Sequence, residues 1–448
     1  MTQPLADVTD ALLAAARRAG AEAADAMAVD GTSVSIDVRA GGLEQAERSE
    51  GIEIGLRVLM GRRQACVSAS DTRPETLAAM AERAVAMARE APEDAHLRLA
   101  SPEELSARRD AAGLELDDPA PEPAPEALEA DARRAEAAAL AVRGVSQVQA
   151  ASAAYGRRAV HLAASNGFAG GYTRSSRHLS CVAISGEGTG MERDWHAESR
   201  VWQADLPEPA MVGRIAAERA VARTGARKPP SGAFPVLYDE RISSGLIRHL
   251  LSAINGASVA RGSSWLRDAM GDHVLPSALS LVENPLRRRV SGSRPFDAEG
   301  LPTQSRVLVR DGLLEGWILD LSSAGKLGLA PTGNAVRGVA APPSPSASNI
   351  TLSQGTDSRE DLMRSMGTGL LVTSLIGMSI NATTGDYSRG ASGFWVENGE
   401  IAYPVNECTI AGNLRDMLRS LTPANDARLH LSDQVPSLLV EGLTVAGA

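Results

Sequence analysis

The chain contains few aromatic residues, few lysines and few cysteines. Phe, Trp and Tyr make up 3% of its 448 residues, so its cores must be built from Ala, Val, Leu and Ile. The three cysteines, Cys66, Cys181 and Cys408, are scattered and odd in number, which is typical of a reduced, cytoplasmic protein. No run approaches about 18 apolar residues, and the N-terminus lacks the regions of a secretory signal. We therefore expect no membrane span and no export.

An excess of positive charge is also missing. The chain has 55 Asp and Glu against 45 Lys and Arg, a formal net charge of −10. A general nucleic-acid binder needs a basic face to neutralise phosphates, so we expect no nucleic-acid partner. The basic run at residues 287–289 is typical of a solvated loop, with contact to a polyanion as the lesser alternative.

The first half of the chain alternates between helical and strand patterns. Apolar residues at helical spacing predict helices over residues 5–18, 74–91, 126–142 and 207–223. Alternating apolar residues predict antiparallel strands at residues 33–38, 52–59 and 64–68, with further strands between 145 and 204. This half is predicted to be a domain of antiparallel strands with packed helices.

The best candidate for a domain boundary is residues 224–232, where two prolines lie between glycines. We therefore divide the chain into an N-terminal domain, 1–225, and a C-terminal domain, 226–448. A strand at 234–238 and a helix at 240–255 begin the second domain, which is otherwise mostly β. Asp311-Gly312 and Asn398-Gly399 predict hairpin turns, because these residue types tolerate positive φ. The predicted fold class is α+β, with a mostly β C-terminal domain that carries an inserted helix.

Common catalytic motifs are missing from the sequence. It contains neither a Gly-x-Ser-x-Gly nucleophile elbow nor a Gly-x-x-x-x-Gly-Lys-Ser/Thr phosphate loop. The glycine-rich residues 186–190 lack the spacing of a dinucleotide site and are predicted to form a hairpin or loose turn.

One local cluster is rich in potential metal ligands. Strand alternation places Glu192, Asp194, His196 and Glu198 on one face, with His178 nearby in sequence. An exposed sheet face is the commoner explanation of such a pattern. A metal site here is the alternative.

Five blocks of sequence are distinctive and extend over nearly the whole chain. They are residues 49–58 (SEGIEIGLRV), 260–264 (ARGSS), 292–300 (GSRPFDAEG), 331–335 (PTGNA) and 385–395 (GDYSRGASGFW). In this order they resemble blocks of the TldD/PmbA family, most closely its PmbA (TldE) branch. The resemblance implies a two-domain α/β protein that pairs into dimers. It also implies a complex in which a TldD-type subunit carries a zinc protease site and cleaves unfolded peptides, in peptide-antibiotic maturation and antitoxin degradation. An older family label is modulator of DNA gyrase.

The zinc motif of the catalytic branch can be compared with this chain residue by residue. That branch has a His-Glu-x-x-x-His helix, which the resemblance places on residues 240–255. Here His249 remains, but the Glu position is Leu250 and the second His position is Ile254. The catalytic branch also uses a cysteine in a C-terminal loop, and the matching residues 430–436 contain none; Cys408 lies earlier, in a run expected to be buried. We therefore expect no catalytic residue, no metal and no cofactor in this chain, and a structural or interface role for His249.

The turn around Asp386 and Arg389 has two interpretations. A local ion pair between these residues can fix the loop. Alternatively, the loop and its surroundings line a peptide groove or a dimer interface. The residues of that groove or interface would be Asn381, Asp386, Tyr387, Arg389, Trp395 and His249.

The leading hypothesis is a non-catalytic subunit that forms a heterodimer with a TldD-type zinc peptidase and binds unfolded peptide. A homodimer is a second assembly that the resemblance allows. The alternatives are a stand-alone peptide-binding or regulatory protein, and a peptidase with a metal site relocated to the cluster around His178 and His196.

Overall fold

The computed structural model describes residues 4–447, apart from the side chain of Met378. The helices are α1 (Leu5–Arg18), α2 (Pro74–Glu90), α3 (Pro125–Leu140), α4 (Pro209–Ala222), α5 (Glu240–Ala253), α6 (Gly256–Ala260), α7 (Leu321–Leu327), α8 (Arg359–Met366) and α9 (Leu414–Arg419). The N-terminal strands are β1 (Ala23–Arg39), β2 (Gly42–Met60), β3 (Arg63–Ala69), β4 (Val145–Ala164), β5 (Ala169–Ser185) and β6 (Glu192–Arg200). The remaining strands are β7 (Gly232–Tyr238), β8 (Leu281–Glu283), β9 (Arg306–Arg310), β10 (Leu313–Leu314), β11 (Ala335–Val336), β12 (Ser344–Pro345), β13 (Ile350–Leu352), β14 (Gly369–Ile380), β15 (Asp386–Glu397), β16 (Glu400–Asn413), β17 (Thr422–Pro423), β18 (Asp433–Gln434) and β19 (Leu438–Ala446). Among the helices of residues 4–447, none is both long and apolar enough to cross a bilayer.

The N-terminal half is built on one antiparallel sheet with the strand order β3-β2-β1-β4-β5-β6. On β1, Ala24, Ala26 and Ala28 pack under α1 and α2, and Val34, Ile36 and Val38 pack under α3 and α4. Odd-numbered residues such as Met27 and Val29 lie on the opposite face, where they pack with Phe296 of the C-terminal half. Because side chains alternate along a strand, the sheet has one face covered by helices and one turned toward the C-terminal half.

The C-terminal half contains a closed barrel and a smaller sheet. Strands β16-β15-β14-β7-β19 are adjacent in that order, and β16 also pairs with β19, which closes the barrel. The smaller sheet has the order β10-β9-β8-β13-β18. Side chains of α5, the barrel and this sheet share one large apolar core. The α+β fold class predicted from the sequence is confirmed.

Both predicted hairpin turns are confirmed by their backbone angles. Asn398 and Gly399 have φ of 51° and 80°, and Asp311 and Gly312 have φ of 47° and 82°. Residues 186–190 form the turn between β5 and β6, also as predicted.

Strand β1 is longer than the sequence predicted. It begins at Ala23, whereas alternation indicated a strand only from residue 33. Residues 23–28 are rich in alanine, which favours helix by propensity. Here Ala24, Ala26 and Ala28 are small enough for α1 to pack closely on the sheet, so tertiary packing overrides the local preference.

Candidate functional site

Helix α5 is the element on which the resemblance places the zinc motif. Asp239 caps it by accepting a hydrogen bond from the backbone N–H of Arg241 at 3.2 Å. Leu250 and Ile254, which take the places of the motif's Glu and second His, are fully buried in the C-terminal core. The face of α5 that carries these two positions is therefore apolar and packs against the barrel.

His249 lies at the edge of that face, next to polar residues of the barrel. Its ring packs edge-on against Tyr387, with the centroids 6.0 Å apart. Burial and the charge of Arg389 lower the pKa of His249, so the imidazole is neutral at pH 7. Tyr238, which the sequence did not single out, lies beside them; burial and the neighbouring Tyr387 raise the pKa of its hydroxyl well above its ordinary value. Three of the six predicted site residues, His249, Tyr387 and Arg389, thus come together.

The residues around His249 do not fit the zinc ion that the resemblance associates with the catalytic branch. Arg389 brings a positive charge close to the imidazole, which opposes a cation. The buried hydroxyls of Tyr238 and Tyr387 lie close enough to shift each other's pKa. Nε of Arg389 is buried without a hydrogen-bond partner among the described residues. Nor does the described part of the chain hold any group of three His, Cys, Asp or Glu side chains arranged for a metal. The site offers buried hydrogen-bonding groups and no activated nucleophile.

Asn381 begins the loop between β14 and β15, and Asp386 is the first residue of β15; both are exposed. The Asn381 carboxamide accepts hydrogen bonds from the backbone N–H groups of Thr383 and Thr384, at 2.9 and 3.2 Å. Asp386 accepts one from the Thr384 hydroxyl at 2.6 Å. The predicted ion pair between Asp386 and Arg389 is wrong: both lie on β15, and residues three apart on a strand face opposite sides.

Trp395 is 2% exposed and belongs to the barrel core. It packs edge-on against Phe234, with ring centroids 4.9 Å apart, and its Nε1 donates to Glu397 at 3.0 Å. The groove or interface role predicted for Trp395, Asn381 and Asp386 stays a prediction.

Cys408 lies on β16 and is 4% exposed, as the sequence predicted. Its thiol donates to the Ala391 carbonyl at 3.2 Å. Burial raises the pKa of this thiol to about 11, so it is neither a thiolate nucleophile nor a ready metal ligand at pH 7.

The acidic face of β6 is buried, which corrects the exposed face that the sequence favoured. Asp194, His196 and Glu198 do share one face, and they are 7%, 5% and 6% exposed. Asp194 pairs with Arg241 at 3.2 Å, and Glu198 pairs with Arg428. Arg219 and Arg223, at the end of α4, contact His196 and Asp194 on the same face. This face is therefore buried beneath α4 and against arginines of the C-terminal half.

His178 does not belong to that buried face. It precedes Leu179, which lies opposite Glu198 in the register, so His178 points to the other side of the sheet. Its Nδ1 lies 2.9 Å from the Ser199 hydroxyl. The cluster proposed as a relocated metal site is thereby divided between two faces.

A cleft that no sequence pattern indicates lies between the N-terminal sheet and the C-terminal half. Its cavity of about 440 Å³ is lined on one side by β1, β4 and β5 and on the other by residues 292–298 and 335–337. A second cavity, of about 470 Å³, borders it and shares Val29, Arg158 and Arg174. Arg294 belongs to one of the distinctive sequence blocks, but no sequence pattern indicates that it lies beside β4 and β5.

Comparison with protein-family models matches three consecutive parts of the chain to one family. Residues 24–88 match PmbA/TldA metallopeptidase domain 1, residues 117–224 the central domain, and residues 231–447 the C-terminal domain. The chain is 36% identical over 438 residues to the metalloprotease PmbA of Escherichia coli O157:H7, covering 97% of this chain and 94% of that protein. It is 35% identical to the metalloprotease PmbA homolog of Haemophilus influenzae, covering 96% and 94%.

Solved structures have the same fold over the whole chain. A protein of Bacteroides thetaiotaomicron described as a modulator of DNA gyrase aligns with a TM-score of 0.91 at 26% identity, covering 100% of both chains. TldE of Thermococcus kodakarensis aligns with a TM-score of 0.84 at 18% identity, covering 98% of this chain and 100% of that one, which supports the fold alone. From these matches and the sequence blocks, the chain belongs to the PmbA/TldD metallopeptidase family and, within it, to the PmbA branch.

Proposed function

We propose that this chain is the non-catalytic subunit of a cytoplasmic TldD/TldE-type zinc peptidase that cleaves unfolded peptides. In this role it binds peptide and pairs with a TldD-type subunit that carries the zinc. Peptide-antibiotic maturation and antitoxin degradation are the processes in which such a complex would act.

The observation that carries this proposal is the burial of Leu250 and Ile254. A helix that positions a zinc ion needs its ligands to face an accessible cavity. Here the corresponding positions are apolar and fully buried, and the one histidine of the motif is a neutral side chain beside Arg389. Metal chemistry must then come from another chain.

A stand-alone peptide-binding protein is the second candidate, and the interdomain cleft favours it. The cleft combines apolar walls with arginine side chains, which suits the binding of a peptide without any chemical step. The domains, 1–225 and 226–448, would then act as the two walls of a binding protein. The two candidates differ in whether a TldD-type partner is needed.

Zinc analysis tests the assignment of the metal to the partner. We expect this chain purified alone to retain no stoichiometric zinc, and its co-purified complex with a TldD-type subunit from the same genome to contain about one zinc per heterodimer. One zinc per chain in the protein purified alone would contradict the proposal.

A further inference from the structure

Two arginines of the interdomain cleft lie directly opposite each other. Arg158 on β4 and Arg174 on β5 are cross-strand partners, and like charges in such positions repel. Arg174 donates to the carbonyls of Ser291 and Ser293, at 2.8 and 3.0 Å, which leaves its charge uncancelled. Arg158 is exposed to the cleft and, within residues 4–447, has no hydrogen-bonding or ionic partner.

A third arginine adds a buried donor to the same cavity. Arg294 is 8% exposed; its Nη2 donates to the Ser346 carbonyl at 2.7 Å, while Nε lacks a partner among the described residues. Burial lowers the pKa of Arg294; the charges of Glu283 and Asp297 oppose this effect, and the charge of Arg174 adds to it. Three cationic side chains, those of Arg158, Arg174 and Arg294, therefore line one cavity.

The acidic side chains of the cavity pair with Arg248 and compensate Arg294, but neither Arg158 nor Arg174 has a carboxylate partner among the described residues. Asp433 is already paired with Arg248 at 2.7 Å. Asp297 is buried, where it accepts backbone hydrogen bonds from Leu301 and Ala335, and its charge compensates that of Arg294. The cavity thus carries a net positive charge that an anion would compensate.

The rest of the cavity wall is apolar. Met27, Val29, Leu162 and Phe296 line it beside the arginines. An inorganic anion would leave this surface without a partner, whereas a carboxylate joined to an apolar group would contact both parts of the wall. Arginine is well suited to the carboxylate, because its planar fork can donate two parallel hydrogen bonds.

We propose that this cavity binds a peptide carboxylate next to an apolar side chain, held by Arg158, Arg174 and Arg294. The inference rests on the proposed peptide-binding role of the chain and names its ligand class. The carboxylate can come from a peptide C-terminus or from an acidic side chain. The neighbouring cavity of about 470 Å³, which shares two of these arginines, gives room for the rest of the peptide.

Calorimetric titration of the full chain with three short unstructured peptides tests the proposal. The first ends in a free leucine carboxylate, the second is its C-terminal amide, and the third is that amide with a glutamate before the leucine. We expect the plain amide to bind at least about ten-fold more weakly than the free acid, because it loses a charge-assisted hydrogen bond. Strong binding of the glutamate peptide would identify a side-chain source, and weak binding a C-terminal source; both outcomes support the site.

Variants assign the binding to this cavity. We expect Arg158→Gln to weaken binding of the free acid about ten-fold without loss of folding, because Arg158 is exposed and unpaired within the described residues. Arg294→Gln should weaken it at least as much. Arg214→Gln is the matched control, since this exposed arginine lies on α4, which covers the other face of the sheet.

Equal affinity for the free acid and the plain amide, or unchanged binding by Arg158→Gln, would overturn the inference and leave the proposed subunit role intact. No binding of any peptide, together with peptide cleavage by the mixture with a TldD-type subunit, would also overturn only the inference. No binding and no cleavage by that mixture would overturn both.

Discussion

Asp25 accepts hydrogen bonds from two buried arginines that belong to different halves of the chain. Arg57 on β2 donates through Nε at 2.6 Å, and Arg337, from the segment after β11, donates to the other carboxylate oxygen. The side chains of all three are at most 4% exposed. A carboxylate shared by two buried cations is a junction between the halves, and its removal leaves both cations unpaired.

We predict that Asp25→Asn lowers the free energy of unfolding by about 3–5 kcal/mol, because a buried charge that loses its partner is strongly destabilising. Urea denaturation measures the loss. The control is Asp268→Asn, whose ion pair with Arg267 is largely exposed and should contribute less than about 1 kcal/mol. Equal effects of the two substitutions would contradict the buried junction.

Glu299 lies close to this junction and should make stability depend on pH. Burial, and then the charge of Asp297, raises the pKa of Glu299 to about 8, whereas an unfolded Glu titrates near about 4.3. Between these values the folded protein holds a proton that the unfolded chain releases, so the free energy of unfolding falls as pH rises. We predict that the wild-type protein loses more stability between pH 5 and pH 8 than Glu299→Gln does, as measured by urea denaturation at both values. Parallel losses would show that Glu299 titrates normally.

At the scale of elements, the sequence was sufficient where a local pattern decides the structure. The helix predicted over residues 240–255 and the Asn398-Gly399 turn depend on neighbours within one turn or one hairpin, and both are confirmed. The buried face of β6 could not be predicted, because Arg241 and Arg428, which neutralise it, are distant in sequence. The cleft was missed for the same reason, since Arg294 and Arg158 approach only across the interface between the halves.

Gly55 on β2, which belongs to the sequence block 49–58, lies at the contact between the two halves of the chain. Gly55 lies against the backbone carbonyl of Val339, and a Cβ at position 55 would overlap that oxygen. The backbone carbonyl cannot rotate away as a side chain can. A glycine here therefore allows β2 and the segment after β11 to approach closely.

We predict that Gly55→Ala destabilises the protein by about 1–3 kcal/mol, since the strand and the Val339 segment must separate to admit the methyl group. Gly51→Ala is the matched control on the same strand, because a Cβ there meets no atom within 4 Å. Thermal unfolding of both variants gives the comparison. If Gly55→Ala unfolds at the same temperature as Gly51→Ala, the close contact between β2 and Val339 does not contribute to the stability of the folded protein.

In the whole molecule, α5 packs with the barrel in one apolar core, and the N-terminal sheet lies beside them. The two halves are joined by the Asp25 junction and by the ion pairs of β6, and the arginine-lined cleft opens between them. Matches along the whole chain show the family. Which subunit binds zinc and which binds peptide depends also on a second chain. The proposed role therefore has to be tested on the pair.

The most direct test is hydrolysis of an unstructured peptide by this chain alone, by a TldD-type subunit alone and by their mixture, each with and without a zinc chelator. We predict no cleavage by the highly purified chain alone. We predict that the mixture cleaves more than the TldD-type subunit alone and that the chelator abolishes this cleavage. Chelator-sensitive cleavage by this chain alone would contradict the non-catalytic role, because the buried Leu250 and Ile254 leave α5 without the ligands that such a reaction needs.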